Sequence, residues 1–531
     1  MGQTESILRC KTCTTPVNSH KIIPSSPTPH LHRTIQMPDA SEAFVLRETL
    51  LHANSDLNEL HGDIIHIQAI LDELRRKRES LRKFTIQHVA FLAPIRRLPA
   101  EILIEIFVLC LYDGISSFSP KRAPSLIGQI CRGWRHIVLS TQKLWSSVVV
   151  TSYRPSSAKA KLWISRAITA PLTIRLYPIH PRTGTIGRIQ PVITVLARHC
   201  ARWRHLGLRI PGTMVPCLSS IKNSLPWLES LQIWAPEELH KLDVFEVAPR
   251  LRSLGLGPGV SPTGLKVPWH QLTDLNTHVY SITECLKTLQ LVPEVVRCTV
   301  HNGSSIEASI PIENVPVLSL PHLRFFSILR IHPDEIFKHL HLPIIHTLRV
   351  VYRERWRSMT SKDLSWFARQ PFMSFLSCSS HTLRKLEIEH LDGLDSAHIA
   401  HCLRATPLLE ELCLRGEEAS WVSADFLRLL TRQANIELLV PDLEVLEIGA
   451  YCIPHDHSVS MIESRWRIGG DDDNVGARLK RVRFEVSWGR EWLADAEILH
   501  RLHKCRQEGM VISITDRCVC NQRNLLEIPL S

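Results

Sequence analysis

Twenty-eight histidines and fifteen cysteines give this chain ample material for metal or nucleophilic chemistry, so their spacing is the first question. Structural zinc needs four Cys or His donors, and a helical zinc site commonly sets two histidines one turn apart. Cys10 with Cys13 and Cys518 with Cys520 are close pairs that lack a matching second pair, so neither makes a zinc site. His339–His341 and His455–His457 lack the helical spacing and read as surface loop residues, with adventitious metal binding as the alternative. Asp471, Asp472 and Asp473 beside Gly469 and Gly470 lack the alternating ligands of a calcium loop and read as a solvated insertion. The GLGPGV stretch from Gly255 to Val260 follows a predicted strand, but no third glycine and no helix start follow it, which predicts a turn. No Walker-type loop and no Gly-x-Ser-x-Gly elbow occurs. The expectation is a non-enzyme, with no catalytic residue, no metal and no cofactor.

Composition narrows the class further. Hydrophobic residues at 44% and charged residues at 22% describe a folded chain, and its length calls for several domains. No apolar run reaches the length of a membrane span, and the N-terminus lacks the apolar core of a secretory signal. Cysteines scattered without paired spacing read as free thiols of a reducing compartment, which predicts a cytoplasmic or nuclear protein. The formal net charge of +11 is spread widely. Its densest runs, Arg75 to Arg78 and Arg478 to Arg483, read as solvated surface, so no nucleic-acid partner is expected.

The elements that position these residues begin with a tail over residues 1–40, rich in Thr, Ser and Pro, which buries too little to fold. Its MGQTES start fits N-myristoylation of Gly2, with Cys10 and Cys13 as acceptors of a second acyl anchor. Membrane contact depends on that modification. Residues 41–90 then predict a long helix over Ser41 to His88. Leu50, Ala53, Leu57, Leu60, Ile64, Ile67, Leu71, Leu74, Arg78 and Leu81 alternate by three and four residues, the a/d seam of a coiled coil. Two readings fit this seam: a homodimer through residues 41–90, or one amphipathic helix folded back on its own neighbouring domain.

Residues 91–150 carry the most specific pattern. Leu98-Pro99 followed by Glu101 is a helix start, since proline fits the first turn and glutamate suits the positive end of the dipole. Ile102, Leu103, Ile106 and Phe107 form an apolar stripe, Leu126, Ile130, Trp134 and Ile137 a second, and Leu144 with Trp145 a third anchor. Three short helices this apolar leave surface for another protein. The order Leu-Pro-x-Glu, Ile-Phe, Cys-Arg-x-Trp and Leu-Trp resembles an F-box, the adaptor-binding module of SCF-type ubiquitin ligases, with a longer loop at Tyr112 to Pro124. The resemblance implies that Leu98, Pro99, Ile102, Leu103, Ile106, Phe107 and Trp134 dock on a Skp-family adaptor, and through it on a cullin.

Residues 151–531 repeat a large-x-x-large-x-large frame, as at Trp203/Leu206/Leu208, Leu251/Leu254/Leu256, Leu383/Leu386/Ile388 and Leu443/Leu446/Ile448. Most starts lie at the leucine-rich-repeat period, with a wider gap before Val295. Each frame predicts a short parallel strand, and segments such as Ser281 to Leu291, Ser396 to Ala405 and Ala424 to Thr431 predict the helices between them. One unit cannot bury its core, but a stack can. The expected fold is α + α/β: a coiled helix, a three-helix F-box, then an irregular leucine-rich-repeat solenoid. This combination resembles fungal F-box substrate receptors, whose repeats would hold a target protein on a concave face while a separate enzyme transfers ubiquitin. Trp234, Tyr352, Trp356 and Trp421 are candidates for target contact or for packing. The alternative function is a non-ligase interaction scaffold, dimeric through the heptad helix and anchored through Gly2.

Overall fold

The computed structural model describes residues 23–33, 35–111, 118–151, 156–177, 186–209, 211–235, 239, 241–302, 316–331, 333–351, 370–389, 396–416, 421–433, 438–467, 476–486 and 495–516. Gly2, Cys10, Cys13, Tyr352, Trp356, Asp471 to Asp473, Cys518 and Cys520 lie outside them, as does the loop from 112 to 117. The chain divides into two units, Met1–Leu103 and Ile104–Ser531.

The first unit is built on helix α1 (Ala40–Leu92), 53 residues long, as the heptad spacing requires. Its start is a capping box. The Asp39 carboxylate accepts from Ser41 N and Glu42 N at 2.9 and 2.8 Å, and Glu42 accepts from Asp39 N at 3.0 Å. Along the seam Leu50, Leu57, Ile64, Ile67, Leu71, Leu74 and Leu81 are all exposed. No helix among the described residues is long and apolar enough to cross a membrane.

Helix α2 (Ala100–Leu109) follows, then α3 (Arg132–Ser140). The second apolar stripe is not one helix, as its spacing predicts. Leu126 and Ile130 flank a short 3-10 turn at Ile127–Gln129, and the chain breaks at Cys131. Cys131 is extended and its Sγ accepts from Trp134 N at 3.4 Å, so it caps α3 instead of continuing a helix. The third anchor does what its residues suggest. Leu144 and Trp145 are buried, and Trp145 Nε1 donates to Val138 O at 2.7 Å.

From Ser147 the second unit is one 14-stranded parallel sheet in chain order. Its strands are β1 (Ser147–Val150), β2 (Leu172–Leu176), β3 (Trp203–Arg209), β4 (Ser230–Trp234), β5 (Ser253–Leu256), β6 (Asp274–Val279) and β7 (Arg297–Asn302). They continue as β8 (Phe325–Leu329), β9 (Thr347–Val351), β10 (Lys385–Glu389), β11 (Glu411–Arg415), β12 (Val445–Ala450), β13 (Arg481–Val486) and β14 (Val511–Asp516). A two-stranded pair, Leu318–Ser319 with Leu340–His341, lies apart. Consecutive strands pair without a register shift except at Leu172/Thr173, so the frame's inward residues line up across repeats. Leu386 faces Leu412, Leu412 faces Leu446, and Leu446 faces Val482, all buried. This solenoid-like stacking buries a continuous apolar row that no single repeat could close.

Helices occupy many of the crossovers: α4 (Ser157–Arg166), α5 (Ile186–Ala197), α6 (Ile282–Gln290), α7 (Pro333–Phe337) and α8 (Gln370–Ser379). The last four are α9 (Ser396–Arg404), α10 (Ala424–Leu430), α11 (His455–Trp466) and α12 (Ala496–Gln507), each packed on the next. Ser156, Ser281, Ser423 and Asp495 cap α4, α6, α10 and α12 through their side chains, which fixes where each crossover turns helical. Within Gly255 to Val260 the first two residues close β5, and the expected turn falls at Pro258 and Gly259, with Gly259 at φ +80°. His455–His457 departs from expectation: it forms the first turn of α11, not a loop. Pro454 precedes that turn and leaves no N–H to satisfy.

Candidate protein-interaction surfaces

Two surfaces combine exposed side chains with rigid support. The first is on α2 and α3. Phe107 is 1% exposed and Leu103 6%, so both expected docking residues are core, and Phe107 sits 4.8 Å from the Trp134 ring, centroid to centroid. Ile102, one turn from Ile106, is 48% exposed, and Leu109, two turns from Ile102 on the same helical face, is 85% exposed. Leu98, Ile106 and Trp134 are half-buried and Pro99 is exposed. Leu126, Ile130 and Leu139 add exposed apolar side chains around α3. Arg135 Nε donates to Gly128 O at 2.8 Å, and the exposed Lys143 and Glu105, from distant parts of the chain, pair at 3.6 Å. The apolar stripe expected from the sequence falls on α2, but a stripe does not say which of its members face inward: Leu103 and Phe107 do, whereas Ile102 and the unflagged Leu109 are exposed.

The second surface is the face of the sheet opposite the apolar row, and it has two characters. Over β9 to β13 it is a lattice of alternating charge. Arg415 Nη2 meets Glu447 at 2.8 Å, with Glu389 at 3.5 Å and Glu485 at 3.6 Å. Lys385 Nζ meets Glu411 at 2.8 Å and Glu387 at 2.9 Å, and Arg349 Nη2 meets Glu389 at 2.9 Å. Each half-exposed pair contributes little alone, but the network holds its side chains in register. Because the signs alternate, the basic surplus of the chain does not gather here, which disfavours a polyanion as the ligand of this half.

Over β2 to β7 the same face carries few charges. Gly207 and Gly257 leave room that the Tyr177 and Trp234 rings occupy, since a Cβ at either glycine would collide with them. The two rings meet edge to face at 5.4 Å. His278 and His301 stack at 4.6 Å on neighbouring strands. Burial holds both imidazoles below their ordinary range, His301 down to about 4, helped by His278 and Arg330. Trp234 is half-buried, so it can offer a ring edge to a partner, whereas Trp421 is fully buried and packs.

Reactive chemistry is weak elsewhere. The donors of His455, Asp456 and Asp495 lie within 4.8 Å of one another. The Asp495 carboxylate, however, already accepts from Glu497 N at 3.0 Å and Ile498 N at 3.1 Å as the cap of α12, which explains its position. Burial pushes the thiol of Cys285 up to about 12, which leaves it unreactive.

No protein-family model matches the chain, and no curated protein matches it. Among solved structures, a chain from the crystal structure of the Rad7 and Elc1 complex in yeast aligns over 85% of this chain and 95% of its own length, with 15% identity and a TM-score of 0.29.

Proposed function

We propose that this chain is a non-catalytic substrate receptor of an SCF-type ubiquitin ligase, acting in the cytoplasm or nucleus. The exposed apolar set on α2 and around α3 docks on a Skp-family adaptor, which links the protein to a cullin. The repeat sheet holds the target protein. One observation carries the reading: Ile102 and Leu109 stay exposed on α2, and Leu126 and Ile130 beside α3, while Phe107 and Trp145 are buried. Apolar surface left outside a packed core marks an interaction site.

Buried Phe107 and Leu103 then serve by holding α2, while Leu98, Pro99, Ile102, Ile106 and Trp134 meet the adaptor. On the sheet, Tyr177 and Trp234 are the aromatic anchors for the target, because rigid aromatics dominate binding energy. Ubiquitin transfer would be proximity: a target held near the carrier reacts at high effective concentration.

Co-purification of the full chain with a Skp-family adaptor tests this. Wild type should carry stoichiometric adaptor, and Leu98→Ala/Pro99→Ala should carry little, because the helix start and its anchor are both removed. The exposed seam of α1 favours the second reading, a scaffold outside any cullin complex. That reading requires the double variant to keep all of its partners.

A further inference from the structure

We propose that α1 pairs with α1 of a second copy of this chain in antiparallel orientation, with Ile64 opposite Ile67 at the centre. The argument starts from charge. From residue 40 to 63 the helix carries Glu42, Glu48, Asp56, Glu59 and Asp63 against Arg47 alone. From 64 to 92 it carries Arg75, Arg76, Lys77, Arg78, Arg82 and Lys83 against Asp72, Glu73 and Glu79. The helix is acidic at its start and basic at its end. Two copies side by side in parallel would set like halves together, whereas antiparallel pairing sets each acidic half on a basic one.

The seam selects the same orientation. In a parallel, in-register pair Arg78 would face Arg78 of the other copy at a core position, and Lys77 would flank Arg82. Antiparallel pairing about Ile64/Ile67 instead makes apolar layers of Leu50 with Leu81, Leu57 with Leu74, and Leu60 with Leu71. Arg78, the one charged residue of the seam, falls opposite Ala53, its smallest member within the same span. Asp56 then flanks Lys77.

A third observation is independent of the heptads. Beside Ala53 the structure has an open groove lined by Pro24, Val45, Glu48, Thr49, His52 and Asp56. Two carboxylates border the groove where the register delivers the long side chain of Arg78, giving its guanidinium an acidic destination. The apolar layers span residues 50–81, roughly 48 Å of helix, ample for a stable two-stranded coil.

The test is sedimentation equilibrium of the full-length chain at low ionic strength, comparing wild type, Asp56→Lys, Lys77→Asp and the double variant. Both substitutions lie on an exposed helix, and circular dichroism checks that helix content is kept. The antiparallel pair predicts a wild-type dimer, a dissociation constant roughly tenfold weaker in each single variant, and recovery in the double variant. A monomeric wild type overturns the proposal. A dimer that Lys77→Asp tightens, by relieving Lys77 against Arg82, is parallel and also overturns it. A dimer indifferent to every variant is built on another surface, with the same consequence.

Discussion

Arg465 shows how individual side chains set the terms of this fold. It is fully buried in α11, and its guanidinium donates to the carbonyl oxygens of Leu430, Leu439 and Val440. Burial, with Arg432 nearby, pulls its pKa down to about 9, so it stays charged at neutral pH and ties α11 to the end of α10 and the segment after it. Arg465→Met removes the charge but strands three carbonyls. We expect a loss of about 3 kcal/mol, read as a lower urea midpoint. The His278–His301 stack makes a second prediction. Folded His301 stays neutral down to about 4, whereas the unfolded chain takes up a proton below the ordinary value of 6.5. Its contribution is therefore intact above pH 6.5 and is lost as pH falls from 6.5 toward 4. Urea midpoints measured across that window should fall with acid in wild type and fall less steeply in His301→Asn. Neither feature was legible in the sequence, because both depend on strands or helices brought together from different repeats.

At the scale of elements the sequence was more informative, and the reason is periodicity. Frames such as Trp203/Leu206/Leu208 and Leu443/Leu446/Ile448 each became a strand, because two inward positions one residue apart define a strand face. The wide gap before Val295 concealed β6. Its second inward position is Thr277, buried at the place where neighbouring strands carry Leu256 and Val300. Among the described residues the Thr277 hydroxyl makes only a long contact, 3.4 Å, to the carbonyl of His278. Thr277→Val should therefore be neutral or stabilising by up to about 1 kcal/mol, and thermal unfolding would show it. A marked destabilisation would mean that this hydroxyl has a stronger role. The charge lattice around Arg415 could not be read from the sequence for a similar reason. Its partners Glu389, Glu447 and Glu485 come from three other repeats, and only the strand register brings them together.

At the largest scale the chain carries exposed apolar side chains on α2 and around α3, and a sheet that presents two chemically different halves on one face. That arrangement is what the proposed receptor would need: one surface for a constant adaptor, another for a target. It also separates the adaptor reading from the pairing of α1, since the two rest on different residues and fail in different experiments. The most direct test of the central claim is the affinity of the purified full-length chain for a Skp-family adaptor, measured beside Ile102→Asp and Ile130→Asp. Both residues are exposed, so the variants should fold, and each would place a carboxylate in the apolar contact. Tight wild-type binding that weakens roughly 100-fold or more in each variant is the predicted result. Equal affinity in all three proteins, or no binding by wild type, would contradict it.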